Sequence, residues 1–329
     1  MGSKLKKLAS SREMSLVIVL IILCGFIQFR NSNFLTAKTI GDMFQNYSVT
    51  MVLAIGMMGV LLIGGIDISI GSTVALSGMI TALMMRDGLY ENVFVGFLVS
   101  ILVGLAAGVI IGLVISRGGV LPIIATLGFM NIYRGITYLV ADSRWVAAYE
   151  IPDGYKAFAL GKVFGVLNNL VLIMIICYII FFVVMKWTKF GRKIYAVGSN
   201  PEAAEVSGIK IKNIKLACYA ILGALSGLVG AMWVSYYASA QGDMGTGIEM
   251  DVIAACVIGG VSLTGGRGSV VGVFLGSLTM AIISNALPLI GVSQFWQNGI
   301  KGLIIIVAVI LNVITQRVID RNNLRRREM

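Results

Sequence analysis

Histidine is absent from the 329 residues of this chain. That absence removes His-based catalytic triads, His-ligated metals and His proton relays together. Charge is scarce: Asp, Glu, Lys and Arg make up 12% of residues, where a soluble domain carries about 25%. Cysteine is limited to Cys24, Cys177, Cys218 and Cys256, each inside an apolar segment with no paired spacing. These read as small packing residues rather than as a disulfide or metal site. No Gly-x-x-x-x-Gly-Lys-Ser/Thr loop occurs, so the chain carries no nucleotide site of that kind. No acidic pair lies within the apolar segments to carry protons or sodium, which weighs against ion-driven transport. The sequence therefore predicts no catalytic group, no metal and no cofactor.

What is present is oil: 58% of residues are hydrophobic. Apolar segments run over roughly 16–29, 47–66, 68–85, 93–115, 120–140, 166–187, 216–237, 252–263, 269–287 and 299–315. Crossing about 30 Å of hydrocarbon takes about 20 helical residues, and most of these segments are long enough. The eighth is short, and its Gly259-Gly260 and Gly265-Gly266 pairs break a straight helix. It is expected to cross as a broken span or to dip in and return, which requires protein or a wet cavity around it. The predicted fold is an all-α polytopic membrane protein of about ten transmembrane helices, one short or broken. Residues 1–14 form a basic N-terminus, 15–315 the transmembrane domain with a polar loop at 188–215, and 316–329 a basic tail. The basic start followed by Leu16 to Phe29 resembles a signal peptide but lacks a small-residue cleavage site, and is read as a retained first span.

The net charge of +11 raises the question of nucleic acid, and the positions of the charges answer it. Basic residues gather at segment ends, as membrane orientation requires, and no aromatic-basic face suited to stacking bases is visible. With both termini cytoplasmic and ten crossings, eighteen Lys and Arg fall inside and six outside. Losing the eighth crossing would place the arginine-rich tail outside, against that bias.

The segment from Lys186 to Lys215 is too polar for its surroundings, and its seven Lys and Arg residues assign it to the cytoplasm. Its centre reads as a short capped helix. Asn200 is a good N-cap, Pro201 suits the first helical position, Glu202 favours the positive helix end and Gly208 closes it. Gly198 and Gly208 are expected to allow sharp turns at its two ends. A capped helix shown to the cytoplasm is a docking element.

Inside the spans, Asp67 is placed in a very short inner turn, where Asp-x-Ser caps the next helix. Arg134, beside Asn131 in the fifth segment, either snorkels to the outer surface or lines a wet cavity. Lys301 opens the last span as an interface anchor. Asp67, Ser69, Ser72, Asn131, Arg134, Gly259 and Gly260 are the candidate pathway residues. Helix–helix hydrogen bonding explains the small polar ones equally well. Ile63-Gly64-Gly65-Ile66 before Gly71-Ser72 is echoed by Ile258-Gly259-Gly260-Val261 before Gly268-Ser269. Such an echo suits duplicated transporter halves and also chance in a glycine-rich chain.

Glu202-Ala203-Ala204 with Gly208 resembles the Glu-Ala-Ala-x-x-x-Gly core of the cytoplasmic loop of ABC importer permeases. The strings from Phe190 to Asn200, from Gly65 to Ser72 and from Ile258 to Ser269 resemble the ribose, xylose and galactose branch, over about Asn33 to Thr315. No Ile-x-Leu-Pro run follows Gly208, so the docking helix is expected to be short. The resemblance implies a non-catalytic permease subunit of the bacterial inner membrane. It implies a second permease copy, identical or related, a separate cytoplasmic ATPase gripping residues 201–208, and a periplasmic sugar-binding protein. Lipid is the solvent, and nucleic acid has no part. On this reading Gly198, Asn200, Pro201, Glu202, Ala203, Ala204 and Gly208 couple to the ATPase. An ion-coupled sugar carrier, a non-transporting scaffold and an amino-acid permease of related build are the alternatives.

Overall fold

A computed structural model describes residues 12–310, apart from 164, 166, 290, 294–295, 297–298, 304–305 and 308–309. The basic stretch before residue 12 and the tail at 316–329 lie outside the described residues. In chain order the helices are α1 (Arg12–Arg30), α2 (Ala37–Leu62), α3 (Ile70–Arg86), α4 (Val93–Ser116), α5 (Pro122–Val140), α6 (Asp153–Leu160), α7 (Asn169–Trp187), α8 (Lys189–Ser199), α9 (Pro201–Val206), α10 (Ile211–Tyr237), α11 (Ile248–Ile258) and α12 (Val270–Leu289). Helical residues resume at 299–303. A two-residue hairpin pairs β1 (Lys162–Val163) with β2 (Leu167–Asn168) between α6 and α7. Among the described residues, six helices, α2, α4, α5, α7, α10 and α12, are long and apolar enough to cross a membrane.

The termini of these helices follow local grammar. Thr36 accepts from the Thr39 N–H to start α2, and Asn92 accepts from the Phe94 N–H to start α4. Pro122 opens α5, where its missing N–H leaves no gap. From Ser48 to Leu62 every residue of α2 is buried, so this helix is the axis of the bundle rather than one of its walls. The most extensive helix pairing among the described residues is α4 with α10. Gly104 and Gly108 meet Gly223 and Gly227 with no room for a side chain on either helix, and the Ser100 hydroxyl donates to the Gly227 carbonyl at 2.6 Å. Small residues four apart let two backbones touch, which is how helices associate where lipid is as apolar as leucine.

Two segments break the pattern of simple crossings. α11 has 11 residues, about 16 Å of helix, and non-helical chain leads into it at 238–247 and away from it at 259–269. The second break was not anticipated. The very short inner turn expected at Asp67 is a seven-residue non-helical stretch, 63–69, and it runs within the bundle, so that Asp67 is 3% exposed. Tyr219 of α10 donates its hydroxyl to the Ile66 carbonyl at 3.1 Å, and Gly71 packs on Gly245 of the segment before α11. Irregular backbone at this depth is stable because protein surrounds and satisfies it. The long connection between α5 and α7 is also structured. Tyr155 of α6 is fully buried, donates to the Ala231 carbonyl at 3.2 Å, and accepts at its own carbonyl from Ser235 at 2.6 Å.

Candidate functional site

The polar loop between α7 and α10 folds as α8 and α9. Thr188 accepts from the Gly191 N–H to start α8. Asn200 accepts from the Ala203 N–H at 3.0 Å to start α9, with Pro201 in its first turn. Gly208 ends the helix at φ +79°, and the Ile209 N–H returns to the Ala204 carbonyl at 3.0 Å, the bond that a left-handed glycine cap makes available. Around α9 only Ala204 is buried, while Glu202, Ala203, Glu205 and Val206 face solvent. Val206 is 91% exposed, an unusual position for a β-branched apolar residue with nothing of its own chain to cover it.

The base of this element is fixed to two distant parts of the chain. Gly198 lies in the last turn of α8, so its glycine is required by contact rather than by a sharp turn. A side-chain carbon there would overlap the Leu62 carbonyl at the end of α2 and crowd the Gly266 nitrogen. The Gly266 N–H donates to that same Leu62 carbonyl at 2.8 Å, and Tyr195 of α8 donates to the Gly268 carbonyl at 2.9 Å. Gly64, Gly265 and Gly266 all hold positive φ here. Gly64, after α2, and the Gly265-Gly266 pair, after α11, thus meet beneath α8, whereas Gly259, the echo of Gly64, lies against α12. A displacement of α9 has a short path through Gly198 to the end of α2 and to the segment between α11 and α12.

The remaining candidates fall into three places. Asp67, Ser69 and Ser72 gather at the start of α3: Asp67 Oδ1 accepts from the Ser69 N–H at 2.8 Å, and Ser72 donates to the Ser69 carbonyl. On α5, Asn131 is exposed and donates to the Leu127 carbonyl, whereas Arg134 is half-buried. Its Nη1 donates to the carbonyls of Gly242 and Met244 at 2.7 and 2.8 Å, a clamp on the segment before α11 that the sequence did not suggest. Gly259 packs against Gly272 of α12, and Gly260 follows it with φ +92°. Lys301, expected at an interface, pairs with Asp251 of α11 at 2.9 Å. Nothing local to the sequence announces that pair, since its members lie 50 residues apart.

The fold and this element define a multi-pass membrane protein that presents a short capped helix on a rigid base. Residues 40–309 match the family described as branched-chain amino acid transport system / permease component, and the chain belongs to that family. It is 38% identical to the ribose import permease protein RbsC of Bacillus subtilis (strain 168), over 89% of this chain and 90% of that one. It is 35% identical to the ribose import permease protein RbsC of Escherichia coli (strain K12), over 91% and 93%. It is 34% identical to the galactose/methyl galactoside import permease protein MglC of that strain, over 92% and 94%. No solved structure matches the chain.

Proposed function

We propose that this chain is the membrane-spanning subunit of an ATP-driven ABC importer for a monosaccharide. The relatives named for ribose and galactose import support a sugar over the amino acids of the family's description. On this reading the protein lies in a bacterial inner membrane with about ten crossings and both termini cytoplasmic. The transmembrane domain covers 15–315, between the basic ends 1–14 and 316–329. A second permease copy completes the pathway, a periplasmic binding protein delivers the sugar, and a separate ATPase docks on the loop at 188–215. Glu13 of α1 accepts from Ser269, beside the seat of α8, which supports an N-terminus on the same side as that loop.

The observation that carries the proposal is the two-sided build of α8–α9. Glu202, Ala203, Glu205 and Val206 are offered outward, while Gly198 sits against the ends of α2 and of the segment after α11. A partner that grips α9 and moves it moves those ends, because a short helix on a backbone-to-backbone seat transmits displacement better than a flexible loop. Asn200, Pro201, Ala204 and Gly208 shape the helix, and Glu202 is its exposed charge. Glu202→Lys is expected to leave the protein in the membrane and to abolish most sugar uptake, with the ATPase co-purifying at a fraction of its normal amount. Wild-type uptake by that variant overturns the docking role. The pathway roles of Asp67, Ser69, Ser72, Asn131, Arg134, Gly259 and Gly260 belong to the same proposal, with Asp67, Arg134 and Gly259 acting by holding the broken segments in place.

A further inference from the structure

At the end of the bundle opposite α9, a cavity of about 740 Å³ opens between α2, the last turns of α10, the start of α11 and the helical residues around Lys301. We infer that it is a transient binding subsite for a neutral monosaccharide, an inference that rests on the transport reading above and locates its substrate. The volume lies in the range of small-molecule sites, about 300–1,000 Å³. One wall is aromatic: Trp233 and Tyr237 stand with ring centroids 4.9 Å apart, and their faces suit the C–H surface of a sugar ring. The facing wall is polar. Asn46 gives its carbonyl oxygen to the Tyr236 hydroxyl and keeps an amide nitrogen as a donor. Asp251 engages Lys301 through Oδ2 only, which leaves Oδ1 to accept a hydroxyl.

The charges also bear on the class of ligand. Asp251 and Lys301 are mostly buried, at 23% and 17% side-chain exposure, and each neutralises the other. An ion meets a neutralised pair and gains a full counter-charge only by breaking it, and a separated buried charge costs several kcal/mol. A polyol binds without that loss, because a hydroxyl both accepts from an ammonium and donates to a carboxylate. Access is provided by a second recess of about 400 Å³, bordered by Gln241 and Asp243, which shares Trp233, Tyr237 and Thr246 with the first. A solute entering past the segment before α11 therefore meets the aromatic wall and then the ion pair.

The test uses the full chain in lipid nanodiscs with Trp145→Phe, Trp187→Phe and Trp296→Phe, which leaves Trp233 as the only tryptophan. D-ribose and D-galactose serve as probes. The expected result is a saturable change in Trp233 emission in the millimolar range with at least one of them. Asp251→Asn with Lys301→Met removes the pair without leaving a lone charge. That double substitution is expected to weaken the response about tenfold or more, the effect of losing one charge-assisted hydrogen bond. Asn46→Ala, on an exposed helix position, is expected to weaken it a few-fold. Uptake by the importer assembled with its ATPase and binding protein should fall in the same order. Unaltered uptake by the double variant, with no saturable emission change, overturns the subsite and leaves the transport reading standing. An emission change that follows anionic lipid content instead of sugar assigns the cavity to lipid and also overturns it. Failure of the wild-type assembly to import either sugar removes the transport reading and the subsite together.

Discussion

Gly198 and Gly208 flank α9 and are both glycine for backbone reasons, but the reasons differ. Gly208 holds φ +79° with open space around it. Alanine there meets only the left-handed penalty of about 1–2 kcal/mol. Gly198 is helical, and alanine there drives a carbon into the Leu62 carbonyl, so α8 must shift off its seat. Overpacking of this kind costs about 1–3 kcal/mol. Gly198→Ala is therefore expected to reduce sugar-stimulated ATP hydrolysis in the assembled importer more than Gly208→Ala does, although both lower the melting temperature. Equal hydrolysis by the two variants would show that the seat transmits nothing. Gly208 was legible in the sequence because a helix cap is a local pattern, complete within Asn200 to Ile209. The need at Gly198 was not, because the atoms that demand it belong to Leu62 and Gly266.

Most elements were legible because a span is defined by its own composition. The apolar segments read at 68–85 and 93–115 correspond to α3 at Ile70–Arg86 and α4 at Val93–Ser116, and the glycine pairs marked α11 as short. The irregular pieces were harder. α6 falls between the apolar segments read at 120–140 and 166–187, although Tyr155 and Ala159 within it, and Ile151 just before it, are four residues apart and all buried. Asp67 was read in a very short inner turn because nothing nearby in sequence shows that Tyr219 reaches the Ile66 carbonyl beside it or that Gly245 packs on Gly71. Arg134 was singled out as an arginine inside a span, yet its partners are two backbone carbonyls more than 100 residues away. Those bonds pin the segment 238–247 to α5. Arg134→Met keeps the stem and removes the donors, leaving the Gly242 and Met244 carbonyls short of a partner. A lost hydrogen bond to a charged group costs about 1.5–3 kcal/mol, so the amides of Met244, Thr246 and Ile248 should exchange roughly ten- to hundredfold faster, while those in the middle of α2 keep their protection. Unchanged exchange in this segment would mean that Val146, which pairs with Ala240, holds it alone.

At the scale of the molecule, α7 and α10 set the polarity of the design. Each leaves the polar loop at one end and reaches the opposite end of the bundle at the other, where the connection with Tyr149 and the cavity lined by Trp233 lie. The proposed engine and the proposed sugar site are thus separated by the length of α10, 27 residues or about 40 Å, and α2 and α10 run between them. That arrangement demands a definite sidedness, and the chain is well suited to measuring it. Cys177, Cys218 and Cys256 are buried and Cys24 is half-buried, so an impermeant thiol reagent meets little native background. Ala203→Cys and Tyr149→Cys place single thiols on exposed positions at the two ends, Tyr149 being 87% exposed. In intact cells Tyr149→Cys should label and Ala203→Cys should not; in inside-out vesicles the pattern should reverse. Labelling of Ala203→Cys from outside would place α9 where no ATPase can reach it. The charge bias of the loops, the docking role of Glu202 and the entry of sugar past Gln241 would then fail together, because all three depend on the same orientation.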